Sequence, residues 1–225
     1  MTIEAWHFLP QDRRLAHGDG RLIQLSVPLS VSLPLELCSH GLHASLRAID
    51  ALSYAESALV SRVVLDGEVV HGEDKLCAET RTPLWIADAT MVLHEFACWC
   101  AEQALLAERA AGREPDARSW IAIAVKRRWI AKQATDVELS AARDAAWDAA
   151  SSADWDAASS AARAAASSAA RAAARDAARD AARAAASSAA SSAARAAAWD
   201  AAWAAARDAQ NVELERLLMT LGGTA

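Results

Sequence analysis

The chain has 225 residues, of which 54% are hydrophobic, and it carries 23 Lys and Arg against 29 Asp and Glu. This length allows one sizeable core or two small ones, and the composition excludes a disordered acidic tail. The charge is spread evenly, since residues 1–135 hold 14 basic and 17 acidic side chains and residues 136–225 hold 9 and 12. Affinity for nucleic acids and anionic membranes depends on clustered Lys and Arg, so this balance favours neither partner.

Three features predict a cytoplasmic protein. The chain lacks the run of about eighteen apolar residues that a transmembrane helix requires. Its first residues lack the basic and then apolar pattern of a secretory signal. The four cysteines show no disulfide-framework spacing and are expected to be reduced thiols.

Residues 1–87 are predicted to form a small mixed α/β domain. Residues 3–9 indicate a strand. Residues 22–37 are β-rich, but Pro28 and Pro34 confine them to edge strands or irregular segments. Residues 46–55 have apolar side chains at helical spacing, with Ser45 as the expected N-cap.

A hairpin is predicted next. Residues 59–65 are β-branched and indicate a strand, and the Asp66-Gly67 dipeptide that follows is typical of a two-residue hairpin turn. The returning strand is expected over residues 68–71.

Residues 88–134 are predicted to form two linking helices. The first has Asp88 or Thr90 as its N-cap and ends before Gly112, and the second begins near Asp116. The buried side of the first helix is predicted to include Met91, Phe96, Trp99 and Leu106.

A four-residue repeat dominates the remainder, residues 135–220, which begin at a capping box formed by Thr135 and Glu138. Residues 141–212 form 18 consecutive groups whose first two positions are Ala in 34 of 36 cases. Because each group advances about 400° along a helix, the Ala patch shifts by about 40° per group and provides no coiled-coil seam. The repeat therefore predicts one long helix or tightly packed helical hairpins.

Four tryptophans of the repeat are the predicted interaction anchors: Trp147, Trp155, Trp199 and Trp203. Ala buries little apolar area, whereas Trp buries a large area and is enriched at interface hot spots. This favours self-association, or binding of a protein partner, through the repeat. The alternative is that each Trp docks on the two linking helices.

The chain contains no P-loop, dinucleotide-binding, nucleophile-elbow or zincin motif. His and Cys residues occur near residues 38–43 and 94–100, but without the paired spacing of zinc ligands. Neither a metal nor a cofactor is predicted.

One run of the N-terminal domain, over residues 38–45, 51–55 and 63–69, reads CSHGLHAS, ALSYA and VVLDGEV. It resembles the ADP-ribosyltransferase-like core, in which a strand, a short helix and another strand frame a nicotinamide-dinucleotide cleft. The resemblance implies His43 or Tyr54 near the cleft, with Glu68 or Glu73 as the acidic group that orients the ribose. A binding domain without the activity fits as well, as does a unit in which these residues only pack.

Most of the chain resembles a family of uncharacterised bacterial, largely actinobacterial, and phage-encoded proteins. The resemblance rests on LHAS at 42–45, HEFACWCAE at 94–102, residues 120–129 and DAQN at 208–211. A Lys/Arg-Arg-Trp segment before an Ala-rich helical region is also similar to proteins labelled as immunity proteins.

The sequence thus predicts an α+β protein: a small mixed α/β N-terminal domain followed by an all-helical region with an Ala-rich four-residue repeat. A non-enzymatic role in interaction or assembly is expected, as a homo-oligomer or with a protein partner. One alternative is a nucleotide- or NAD-binding, or ADP-ribosyltransferase-like, N-terminal domain acting in phage–host conflict. The other is an immunity protein.

Overall fold

The computed structural model describes residues 2–15, 20–152 and 196–222. Within these ranges, five strands form one antiparallel sheet and five helices follow or flank it, which confirms the predicted α+β class. The strands are β1 (Ile3–Leu9), β2 (Leu29–Ser30), β3 (Leu42–Ala44), β4 (Leu59–His71) and β5 (Leu76–Asp88). The helices are α1 (Ala48–Ser53), α2 (Thr90–Ala110), α3 (Ala117–Ile130), α4 (Asp136–Ser152) and α5 (Ala196–Gly222).

The chain divides into two compact units. The first unit comprises Met1–Thr90 together with Asn211–Ala225, and the second comprises Met91–Gln210. The C-terminal part of α5 therefore belongs to the same unit as the sheet.

The sheet of the first unit closes on itself. β1 pairs with β4, β4 with β5, and β5 with both β3 and β2 on its other edge. Trp6 of β1 and Ser45, directly after β3, then exchange two backbone hydrogen bonds of 2.7 and 2.9 Å. The ring β1–β4–β5–β3 is thereby completed as a small barrel, and closure leaves few exposed strand edges.

Two apolar clusters fill the barrel unit. One consists of Ala5, Ala44, Val63, Leu65, Leu76 and Ala78. The other consists of Leu9, Ile23, Leu29, Leu42 and Leu59. Alternate residues of β1, β3 and β4 contribute to both clusters, because every second side chain of a strand lies on the same face of the sheet.

The predicted hairpin turn at Asp66-Gly67 is wrong, because β4 continues through it to His71. The pairing register shifts between Asp66 and Val69, and Gly67 has φ +78°. A bulge with Gly in the left-handed region needs the same residue as a tight turn, so the dipeptide fits both. The chain reverses at Gly72 instead, whose N–H donates to the Lys75 carbonyl at 2.9 Å.

One other local prediction in the first unit is also wrong. Ser45 does not cap α1, which begins at Ala48 after Arg47, because the Ser45 backbone bonds to β1. Of residues 22–37, Leu29–Ser30 forms a strand at the edge of the sheet and the remainder is irregular, as the two prolines predict.

The predicted starts of α2, α3 and α4 are confirmed. The Asp88 carboxylate accepts the backbone N–H of Thr90 at 2.8 Å, and Asp116 accepts an N–H from the first turn of α3 at 2.8 Å. The Thr135 N–H donates to Glu138 Oε2 at 2.7 Å, and the Glu138 N–H donates to Thr135 Oγ1 at 3.2 Å. These two reciprocal bonds form the expected capping box.

The buried face of α2 differs from the prediction. Phe96 is buried, but Met91 and Leu106 are exposed and Trp99 is half-buried. The face instead follows Leu93, Ala97, Ala101 and Leu105, at four-residue spacing. Residues 153–195, which include most of the repeat and Trp155, lie outside the described residues. The prediction that the repeat forms one long helix or packed hairpins concerns these residues.

Candidate functional site

A cavity of about 610 Å³ lies in the first unit. It is lined by β1, the segment after it, residues 38–45, the end of α1 and part of β5. Four cations line it: Arg14, Arg21, Lys75 and Arg81. Among the described residues of the lining, Glu56 is the one acidic side chain, so the cavity is strongly cationic.

Arg81 is the most deeply buried of these four cations. Its position on β5 lies opposite Leu65 of β4 and Leu29 of β2, which belong to the two different apolar clusters. Directly opposed residues of antiparallel strands share a face, so the Arg81 side chain lies on the buried side. It is 3% exposed and donates a hydrogen bond to the His43 carbonyl. No carboxylate pairs with Arg81 in the part of the chain that the structure describes.

Burial makes the charged form of the Arg81 guanidinium less favourable. Desolvation lowers the pKa of Arg81 from 12.5 to about 10. The group remains charged at pH 7, and it therefore brings an uncompensated positive charge into an apolar interior.

His7 lies in the same polar layer as Arg81. On β1 it falls between Ala5 of one apolar cluster and Leu9 of the other, and it pairs with buried Ser61 of β4. Burial, followed by the charges of Arg81 and then His43, holds the pKa of His7 well below 6.5. Its Nδ1 atom is buried and has no hydrogen-bond partner among the described residues. A neutral imidazole thus lines the cavity with hydrogen-bonding capacity to spare.

A second group of polar side chains lines the cavity near the β4–β5 turn. The Cys38 backbone N–H donates to His43 Nε2 at 3.0 Å, so the His43 proton resides on Nδ1. The Tyr54 hydroxyl donates to Asp74 Oδ2 at 2.5 Å, which is the largest cause of the raised pKa of Tyr54. Lys75 Nζ lies 4.4 Å from the centroid of the Tyr54 ring. The ring is held in place yet remains 49% exposed.

The structure brings together two of the four predicted cleft residues. His43 and Tyr54 line the cavity. Glu68 and Glu73 are not part of its lining: the Glu68 backbone N–H donates to Glu79 Oε2 at 3.2 Å beside the bulge, and Glu73 lies in the β4–β5 turn.

Arg81, His7 and Lys75 are the pocket residues that the sequence reasoning missed. Arg81 lies on β5, a strand that was not predicted, and His7 looks like any polar residue of an alternating strand. The GEDK turn before β5 offered one usable signal, since it places Lys75 beside a new strand.

The second unit contains another buried polar group, built from α2 and α3. Lys126 is fully buried, with Nζ 3.7 Å from the centroid of Trp129, and burial lowers the pKa of Lys126 to about 8. His94 packs edge-on against the same ring at 5.3 Å, and burial lowers the pKa of His94 to about 4. Arg127 joins the two helices through Glu95 and Glu102, both at 2.9 Å. Lys126, Arg127 and Trp129 of the KRRW segment, residues 126–129, thus take part in the packing of α2 against α3.

The predicted tryptophan anchors are only partly described. Trp147 is 52% exposed and Trp203 is 36% exposed. Trp199 belongs to α5, and Trp155 lies outside the described residues.

Among the residues that the structure describes, no group of three or more His, Cys, Asp or Glu is placed to hold a metal ion. None of the helices in these ranges is long and apolar enough to cross a membrane.

Compared with known proteins, the chain matches no family model, no curated protein and no solved structure. The resemblances to phage-encoded, immunity and ADP-ribosyltransferase-like proteins therefore stay predictions.

Proposed function

We propose that the first unit binds a small anionic molecule of the nucleotide class, with a phosphate group at Arg81. The observation that carries this proposal is a guanidinium that is 3% exposed, lines a 610 Å³ cavity and has no carboxylate partner within the described ranges.

The burial of Arg81 carries an energetic cost. Removing a charge from water without a counter-charge costs several kcal/mol, and proteins usually avoid it. An anionic ligand would supply the missing charge and reverse much of that cost. Arg presents paired N–H donors that match two oxygens of a phosphate, which makes it better suited than Lys to such a site.

The rest of the cavity fits a nucleotide in size and chemistry. Its volume of about 610 Å³ lies within the range of roughly 300–1,000 Å³ that is usual for small-molecule sites. Tyr54 offers a fixed and half-exposed aromatic ring, on which a base can stack. Arg14, Arg21 and Lys75 add positive charge to the lining of the cavity.

Binding, rather than group transfer, is the activity that this arrangement favours. The acidic residues that the ADP-ribosyltransferase resemblance implies, Glu68 and Glu73, do not line the cavity. Neutral His7 can accept or donate a hydrogen bond to a bound ligand, which adds affinity without requiring a reaction.

A thermal-shift panel on the full-length protein tests the proposal. The probes are pyrophosphate, ADP and NAD, with uncharged adenosine as the matched control for the base. A ligand at 100 times its Kd adds about 2.7 kcal/mol to stability, so a clear rise in Tm is expected for the anions. A rise with adenosine alone, or no rise with any of the anions, would contradict an anion site.

Self-association through the repeat is a second proposal, favoured by the exposure of Trp147 and Trp203. Replacing both by Ala should lower the particle mass in light scattering if these side chains anchor an oligomer. An unchanged mass would remove them as anchors. A cytoplasmic location, a role in phage–host conflict and an immunity role also remain proposals, the first from the reduced thiols and the others from resemblance.

A further inference from the structure

The N-terminus of α1 is capped by side chains from the far end of the chain. Arg47, its N-cap residue, has extended backbone angles and makes no side-chain capping bond. The Ala48 N–H donates to Glu215 Oε1 at 3.2 Å, and the Ile49 N–H donates to Asn211 Oδ1 at 3.1 Å. Two N–H groups that a local Ser or Asp usually satisfies thus depend on residues of α5, more than 160 positions away.

The two capping side chains are themselves held in place. Asn211 Nδ2 donates to Glu215 Oε1 at 3.1 Å, across one turn of α5. Leu214 and Leu218, on the same stretch of the helix, are fully buried. The acceptors are therefore fixed by α5, and a carboxylate at a helix N-terminus is also favoured by the helix dipole.

The opposite end of α1 reaches the proposed ligand pocket. Ala51 lines the cavity, and so does Tyr54, the C-cap residue, whose N–H donates to the Ala51 carbonyl at 3.1 Å. Only about two turns separate the capped end from Tyr54, so a displacement of the first turn moves the aromatic wall of the pocket with it.

We propose that Asn211 and Glu215 are positioning residues of the ligand pocket, which hold α1 so that Tyr54 stays over Lys75 and presents its ring to the ligand. The inference rests on the proposed function for its effect on affinity. If Asn211 and Glu215 have this role, the C-terminal turns of α5 are a required part of the site, and residues 1–90 alone do not form a competent pocket.

The test uses full-length protein with Asn211→Ala and Glu215→Ala, separately and combined. Glu215→Gln keeps an oxygen acceptor and serves as the conservative rescue. Val212→Ala is the matched control, since Val212 lies on the same turn of α5, is 67% exposed and takes no part in the cap. Circular dichroism confirms that each variant is folded. If the double variant does not fold, the single substitutions carry the test.

Two measurements separate this inference from the proposed function. Tyr54 is the single tyrosine of the chain, so ring-labelled protein gives an NMR signal from one residue. We expect that signal to shift in the Ala variants of Asn211 and Glu215 but not in Val212→Ala or Glu215→Gln. Calorimetric titration with ADP should show affinity about tenfold lower in the double Ala variant, as expected for the loss of two caps.

The possible results have distinct meanings. If wild-type protein does not bind ADP, the proposed nucleotide site fails, while a Tyr54 shift would still show that α5 positions α1. If wild-type protein binds ADP and the folded Ala variants show neither a Tyr54 shift nor weaker binding, the positioning role is overturned.

Discussion

Replacing Arg81 by Met should make the ligand-free protein more stable. Lowering the pKa of Arg81 from 12.5 to about 10 corresponds to about 3 kcal/mol of desolvation cost, at 1.36 kcal/mol per pH unit. Met has a similar length and buries no charge, but it loses the hydrogen bond to the His43 carbonyl, which contributes about 1 kcal/mol. The expected net gain is about 2 kcal/mol, within the range known for apolar replacement of buried charges.

Native-state hydrogen exchange of amides in β4 and β5 measures this gain, because their protection reports the opening free energy of the first unit. Arg128→Met is the control, since Arg128 is half-exposed and pairs with Glu138 at the surface, where substitutions cost little. The gain should be accompanied by loss of anion binding. A loss of 2 kcal/mol or more in Arg81→Met, with anion binding retained, would show that the guanidinium serves the fold rather than a ligand.

Three further predictions concern stability. As the pH falls from 6.5 to 4, the free energy of unfolding of the second unit should decrease by about 3 kcal/mol, because His94 has a pKa of about 4 in the folded protein and the unfolded chain binds the proton at higher pH. In urea unfolding, His94→Gln should lack this decrease. An equal decrease in both proteins would refute the role of His94. Gly41→Ala should cost more than 2 kcal/mol, since Gly41 has φ +135° and an added Cβ would overlap Cys77 Sγ. Gly20→Ala is the control, because Gly20 has φ +66° and an added Cβ there would have no neighbour within 4 Å. Equal decreases in the free energy of unfolding of the two variants, measured in urea, would rule out the overlap. Thr135→Ala should cost about 1 kcal/mol in urea unfolding and Thr135→Ser much less, whereas equal losses would exclude the hydroxyl cap.

Helix starts could be predicted from the sequence because their signals are local. Asp116 and the Thr135–Glu138 pair bond to backbone groups two or three residues away, so a short window contains the whole interaction. The strand β1 was predicted with its observed bounds, Ile3–Leu9.

The hairpin could not be placed because a tight turn and a β-bulge favour the same dipeptide. Asp66-Gly67 is a favourable turn sequence, but its left-handed Gly forms a bulge inside β4. β5 also contains Arg81 and Pro83, which are unusual in a strand of thirteen residues. Pro83 is accommodated where the register of β4 and β5 shifts, next to Val63.

Half of the predicted cleft residues lie in the pocket, and the rest of the site depends on long-range structure. Arg81 and His7 face the interior because strand pairing places Arg81 opposite Leu65 and Leu29, and His7 opposite Ser61. The cap of α1 by Glu215 joins residues 167 positions apart. A short stretch of sequence contains neither of these long-range contacts. The sequence therefore does not distinguish a buried arginine from an exposed one.

Calorimetric titration of ADP into wild-type and Arg81→Met full-length protein tests the central claim most directly. The account predicts one site per chain in the wild type, weakening as salt increases, and no detectable binding in the folded Arg81→Met variant. Equal affinity in both proteins, or no binding of ADP or pyrophosphate to the wild type, would contradict it.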